Sequence, residues 1–302
     1  MIETITSADV NLSATDGGIA RVRATFEIGA GSDAEADAIF EASRLRVGAT
    51  PGSLSVDEPN GHRGFGHAIS RLLGGQAEEV VRVEVEAPAG CRLEVRVVNA
   101  DVQATGFKGT QRYQSVSGDL RVVEVAGALD IDSVSGDVSL RAVAPVALKA
   151  INVSGDLMAE APSFERVRVQ SVSGDVSIDG ALDASSSYAM DTVSGDVRLA
   201  TPGSGMTVTV RGMSSDVSSA LPHRLEGTPE RRRLIVGDGA ASVTFNSMSG
   251  DLAVVRSRQA VPEPALSTKS ATGAGGRIEI LEALERGEID VDDAMRRLGG
   301  SS

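Results

Sequence analysis

Apolar and polar residues alternate through most of this chain, and one pentapeptide punctuates the alternation at regular intervals. It reads Ser115-Val-Ser-Gly-Asp119, Ser133-Val-Ser-Gly-Asp137, Asn152-Val-Ser-Gly-Asp156, Ser171-Val-Ser-Gly-Asp175, Thr192-Val-Ser-Gly-Asp196 and Ser247-Met-Ser-Gly-Asp251. Degenerate copies stand at Val97-Val-Asn-Ala-Asp101 and Gly212-Met-Ser-Ser-Asp216. The motif aspartates are 18 to 21 residues apart, with one interval of 35 before the last. A repeat of fixed period identifies a stack of similar units before any local propensity is weighed.

The residue after each Asp is Val or Leu in all eight copies. Six residues before it stand Val95, Tyr113, Ile131, Ala150, Val169, Met190, Val210 and Phe245. Three before it stand Val98, Val116, Val134, Val153, Val172, Val193, Met213 and Met248. Alternation with polar neighbours is the period of a half-buried strand, and it places all these columns inward. The period slips by one between the last two columns, so the chain must bend there to keep both facing the core. Each repeat then reads as a coil: strand, corner, second strand, return loop. The fold expected is all-β, a parallel β-solenoid (a single-stranded β-helix) of about eight coils. Residues 1–92 form an N-terminal β cap, 93–256 the repeats, 257–276 a flexible linker rich in small residues, and 277–302 a helical hairpin.

Within the motif, the residue before Asp is Gly in six copies and Ala100 or Ser215 in the others. This points to small size at an inward bend more than to a strict need for positive φ. Ser and Asp lie outward, each Asp bonding the N–H groups of its own turn. A column of Asp119, Asp137, Asp156, Asp175 and Asp196 also suggests a calcium ladder. One carboxylate per coil falls well short of the six or more oxygens calcium takes, so no metal is assigned.

Aromatic residues make up only 3% of the chain and Trp is absent, so the core is built from small branched side chains, and 34 glycines suit many tight turns. The net charge of -13 argues against nucleic acid as a partner, because phosphate binding needs a basic face. A single cysteine, Cys91, leaves no internal disulfide. No apolar run approaches the roughly 20 residues of a membrane span, and no signal peptide is visible, which together suggest a cytoplasmic protein. His62 and His67 share a glycine-rich loop and His223 stands alone, without the three or four close ligands of a zinc site. No catalytic set and no cofactor site emerges.

In the first 92 residues, Ser7-Ala-Asp-Val-Asn-Leu12 resembles a ninth, degenerate turn, Ile19 to Ile28 and Val80 to Val85 alternate as strands, and Ala34 to Ser43 suits a short helix. The 35-residue interval is read as an insert whose Glu230-Arg-Arg-Arg233 is a solvated loop. After the linker, Arg277 to Arg286 is amphipathic, Gly287 stops it, and Asp290 caps a second short helix. Its apolar residues, Ile280, Leu281, Leu284, Ile289, Val291, Met295 and Leu298, cannot be buried by two helices this short. They are the candidate interaction residues, for another copy or another protein.

The Ser-Val-Ser-Gly-Asp-Val turns from Ser115 to Val197, with Val98 to Val102, resemble the bacterial putative-adhesin family of β-strand repeat proteins, a domain of unknown function. The tail from Ile280 to Met295 is similar to short helical-hairpin modules that accompany such repeats in some cell-envelope-stress proteins. The resemblance implies a solenoid without known catalysis and a link to envelope stress or surface scaffolding. The function expected is a non-enzymatic scaffold or interaction protein, with peripheral association with an envelope complex. The alternatives are a polymer-forming solenoid and a calcium-dependent adhesive module.

Overall fold

The computed structural model describes residues 2–57, 79–203, 205–228 and 231–257. The hairpin 277–302, the linker beyond 257, and His62 and His67 lie outside them. Among the described residues there are nineteen strands and one helix. The first part holds β1 (Ile2–Thr15), β2 (Arg21–Ile28), α1 (Asp33–Ser43), β3 (Arg46–Thr50), β4 (Ser53–Asp57) and β5 (Glu79–Pro88). The middle holds β6 (Leu93–Thr105), β7 (Gln111–Ser117), β8 (Leu120–Ser135), β9 (Val138–Ser154), β10 (Leu157–Ser173), β11 (Val176–Leu182), β12 (Ser187–Ser194) and β13 (Val197–Thr201). The last part holds β14 (Met206–Ser214), β15 (Val217–Ser219), β16 (His223–Thr228), β17 (Arg231–Val236), β18 (Ala241–Ser249) and β19 (Leu252–Arg256).

The protein is nearly all β, in one large and mostly parallel sheet. Successive repeats pair in parallel and in step: Leu120 faces Val138, Val138 faces Leu157, Leu157 faces Val176, and Val176 faces Val197. The amide of the residue after each Asp donates to the carbonyl of the next coil's Asp, as Leu120 does to Asp137 at 2.9 Å. The columns one after and six before Asp fill the interior as expected. Val102, Leu120, Val138, Leu157, Val176, Val197 and Leu252 are all buried, and so are Tyr113, Ile131, Val169, Met190 and Phe245. Burying each Val or Leu is worth roughly 1.5–3 kcal/mol, which explains how a chain with few aromatics holds a long core.

The column three before Asp is not inward. Val116, Val134, Val153 and Val172 are 49, 47, 40 and 47% exposed, whereas Ser115, Ser133, Asn152 and Ser171, one residue earlier, are 7, 3, 1 and 4% exposed. The strand alternation therefore continues to the Ser, and the phase slips across Val-Ser-Gly-Asp. A hydropathy pattern puts Val inside and Ser outside. At this buried position Ser115 Oγ donates to the Ser117 carbonyl and Asn152 Nδ2 to the Gly155 carbonyl, while the hydroxyls of Ser133, Ser171, Thr192 and Ser247 have no hydrogen-bond partner among the described residues.

The order of the last coils also departs from the chain order. β19 lies between β13 and β15, with Val197 facing Leu252 and Leu252 facing Val217. Residues 206–219 thus form the outer rung, and 241–256 return inside it. The 35-residue interval is not a loop insert. It carries β16 and β17, an antiparallel pair in which β17 lies against the outer side of β14. The first part is built similarly. β1 pairs in parallel with β6, Asp9 facing Asp101 and Leu12 facing Ala104, and on its other side with β5 and β4. Antiparallel β2 and β3 flank these. Helix α1 is capped by Ser32 Oγ, which accepts from the Glu35 amide, while the Glu35 carboxylate accepts from the Gly31 amide, a capping box one residue wider than usual.

Candidate functional site

The motif brings its aspartates into one exposed column, but not in the bonding expected. Each Oδ1 accepts the backbone N–H of the Asp on the next coil, not of its own turn. The Asp119 amide donates to Asp101 at 2.8 Å, Asp137 to Asp119 at 2.9 Å, Asp156 to Asp137 at 2.8 Å, Asp175 to Asp156 at 2.9 Å and Asp196 to Asp175 at 2.9 Å. The ladder then runs to Asp251 and from there to Asp216. Repulsion between neighbouring carboxylates about 4.8 Å apart is about 0.9 kcal/mol in water. A hydrogen bond to a charged acceptor, discounted for solvent, contributes on the order of 1 kcal/mol. The two nearly cancel, so the column stands without a counter-ion. Asp119, Asp137, Asp156, Asp175 and Asp196 form no ion pair among the described residues.

The column ends differently. Asp216, on the outermost of the described rungs, accepts from Arg232 of β17 at 2.9 Å. At the other end Asp9 lies 3.7 Å from Arg82 of β5, which stands in register with it. The Arg cluster at 231–233, read from sequence as a solvated loop, is a strand, and one of its guanidiniums closes the carboxylate column.

The motif glycines explain why the corner is so strict. Gly118, Gly136, Gly155, Gly174, Gly195 and Gly250 have φ between +107° and +153°. A Cβ on any of them would come within 2.1–2.3 Å of a carbonyl oxygen on the adjacent coil. Positive φ is thus required at these six, and the clash is with the stack, not with the interior. Only toward the ends do Ala100 and Ser215 take the position, without positive φ.

Beside the Asp column, and no more than about 10 Å from it along three residues of chain, runs the exposed apolar column Val98, Val116, Val134, Val153, Val172, Val193 and Met248. A shallow groove of about 560 Å³ follows its first half, between these residues and the column containing Arg96, Gln114, Asp132 and Ile151. Sequence reasoning missed this surface. The signal was present in Val97, an apolar residue at the Ser115 position that the structure buries.

Titratable groups moved by their surroundings are structural. Burial pushes the Tyr113 hydroxyl well above its ordinary value, and the hydroxyl donates to Gln111 Oε1 at 2.9 Å. Gln111 is itself buried, with its amide nitrogen donating to the carbonyls of Phe107 and Ala126. Burial also raises Tyr188, whose hydroxyl donates to the Phe164 carbonyl, and Cys91. The amide and hydroxyl of Ser185 hold the Asp183 carboxyl below the usual range. His223 Nδ1 lies 2.9 Å from the Leu221 carbonyl. Among the described residues no three His, Cys, Asp or Glu side chains converge as a metal site, and no helix is long and apolar enough to cross a membrane.

A stack of parallel coils marked by a repeated Gly-Asp corner defines a repeat protein. The sequence model of the Toastrack DUF4097 family matches residues 1–255, and the chain belongs to that family. No curated protein matches it. Among solved structures, a "putative cell adhesion protein" from Clostridium sporogenes is similar at 11% identity, over 84% of this chain and 90% of that one, with a TM-score of 0.25.

Proposed function

We propose that this protein is a non-enzymatic scaffold: a β-solenoid of about eight coils, its ends covered by the antiparallel strands, presenting its repeated surface to partners at the cell envelope. The observation that carries this reading is the Asp ladder. The most repeated polar side chain spends one oxygen on the amide of the next coil, which is the role of a structural residue. In this reading the segment 277–298 mediates association with another copy or a partner, through Ile280, Leu281, Leu284, Ile289, Val291, Met295 and Leu298. Deleting residues 277–302 tests it by in-cell cross-linking with mass spectrometry. The expected result is an unchanged melting transition and loss of the cross-linked complexes. Unchanged partners and an unchanged oligomeric state would overturn the role of the tail.

A further inference from the structure

We propose that the outer corner of the coils is a docking face for a cationic amphipathic helix of a partner protein. The inference rests on the scaffold reading and supplies the chemistry of one partner.

Two observations converge. The column from Val98 to Met248 is apolar at every rung and 36–60% exposed, whereas outward columns elsewhere are mixed, such as Arg96, Gln114, Asp132 and Ile151. A continuous apolar strip of this kind exceeds the scattered apolar residues of an ordinary surface. Among the described residues the neighbouring carboxylates from Asp119 to Asp196 pair with no cation, although both ends of that same column have one, Arg82 and Arg232. An apolar strip beside uncompensated carboxylates is complementary to an apolar stripe flanked by Lys or Arg.

The backbone decides that the occupant is a helix. Each coil along this face is already paired in parallel with a coil on either side, so the face offers no free sheet edge to which a partner strand could add. A helix satisfies its own backbone groups. Seven rungs span about 29 Å, which about 19 helical residues cover. Charge separates the occupants. The chain's own tail, residues 277–298, carries four Arg against seven Asp and Glu, and a second copy brings a net -13. Both are repelled where a cationic helix is attracted.

The test uses the full chain and two synthetic peptides of about 19 residues: one with Leu at helical spacing and Lys elsewhere, the other with Glu in place of Lys. Binding is followed by fluorescence anisotropy, with circular dichroism to verify that each variant is folded. The Lys peptide should bind and the Glu peptide should not. The triple variant V116T/V134T/V153T keeps the charge and the strands, and should weaken binding at least about tenfold through lost apolar contact. D119N/D137N/D156N keeps each Oδ1 acceptor and should weaken binding while flattening its salt dependence. Deleting 277–302 should leave the affinity unchanged. The proposal is overturned if the valine variant binds the Lys peptide as tightly as the native chain, since charge alone then explains the binding. It is overturned equally if the Glu peptide binds as well or neither peptide binds. Tighter binding after the deletion would make the tail the occupant, and a dimer that V116T/V134T/V153T dissociates would make it a second copy.

Discussion

The coils between Gly118 and Asp196 and the rungs at either end meet the same demands with different residues. In the middle, every coil has a neighbour on both sides, so the corner has no room for a Cβ and each carboxylate finds an amide on the next coil. At the ends one neighbour is missing or changed. Ala100 and Ser215 replace Gly, and Arg232 and Arg82 take over the partnership with Asp216 and Asp9. The difference teaches that the Gly-Asp pair is a requirement of stacking, not of the turn taken alone. It also explains why antiparallel strands flank both ends: a parallel rung left open would be a template for another chain.

The largest contrast should come from the core. Leu157→Ala, in a coil packed on both sides, is expected to cost about 3 kcal/mol, whereas Val217→Ala in the half-buried outer rung should cost about 1 kcal/mol, both read from urea denaturation. Equal costs would mean that the outer rung is packed as tightly as the middle.

Next comes the corner. Gly155→Ala combines positive φ with a contact on the Gly136 carbonyl and should cost roughly 3 kcal/mol, while Ala100→Gly should stay within about 1 kcal/mol. A tolerated alanine at 155 would show that the coils spread easily there, and the stacking explanation of the motif would fail.

The carboxylate column gives a smaller effect that separates hydrogen bond from charge. Asp156→Ala removes the acceptor for the Asp175 amide and should cost about 1 kcal/mol. Asp156→Asn keeps an acceptor and relieves repulsion, so thermal melting should be within about 0.5 kcal/mol of native or slightly higher. A large loss with Asn would place the importance in the charge.

Much of the architecture is readable from residues alone because stacking repeats the same side chain at the same place. The inward Val and Leu after each Asp and the inward column six before it follow from the period, the alternation at 19–28 and 80–85 falls on β2 and β5, and the helix expected over 34–43 falls on α1. The corner does not follow from the period. Hydropathy assigns Val inward and Ser outward, whereas the backbone path through the corner exposes the Val and buries the residue before it, in the Ala100 coil as in the glycine coils. The exchange of the last two rungs is hidden for another reason. Asp216 and Asp251 carry equivalent motifs, and nothing in a motif says which neighbour it stacks on. The tail residues from Ile280 to Leu298 stay a reading of the sequence and a proposal.

The smallest stability effect is the most diagnostic of the corner. Val134→Thr should change the unfolding free energy by less than about 0.5 kcal/mol, because its side chain is half exposed and Thr keeps the strand preference. An inward Val at that position would instead cost about 1–2 kcal/mol when replaced by a hydroxyl-bearing residue.

Thiol accessibility at two adjacent positions tests the central claim most directly. In a C91A background, which removes the only native thiol, S133C and V134C are each labelled with maleimide and followed by mass spectrometry. The folded V134C variant should label rapidly, and S133C should react only as the protein unfolds. Rapid labelling of S133C with protection of V134C would contradict the outward valine column and everything built on it.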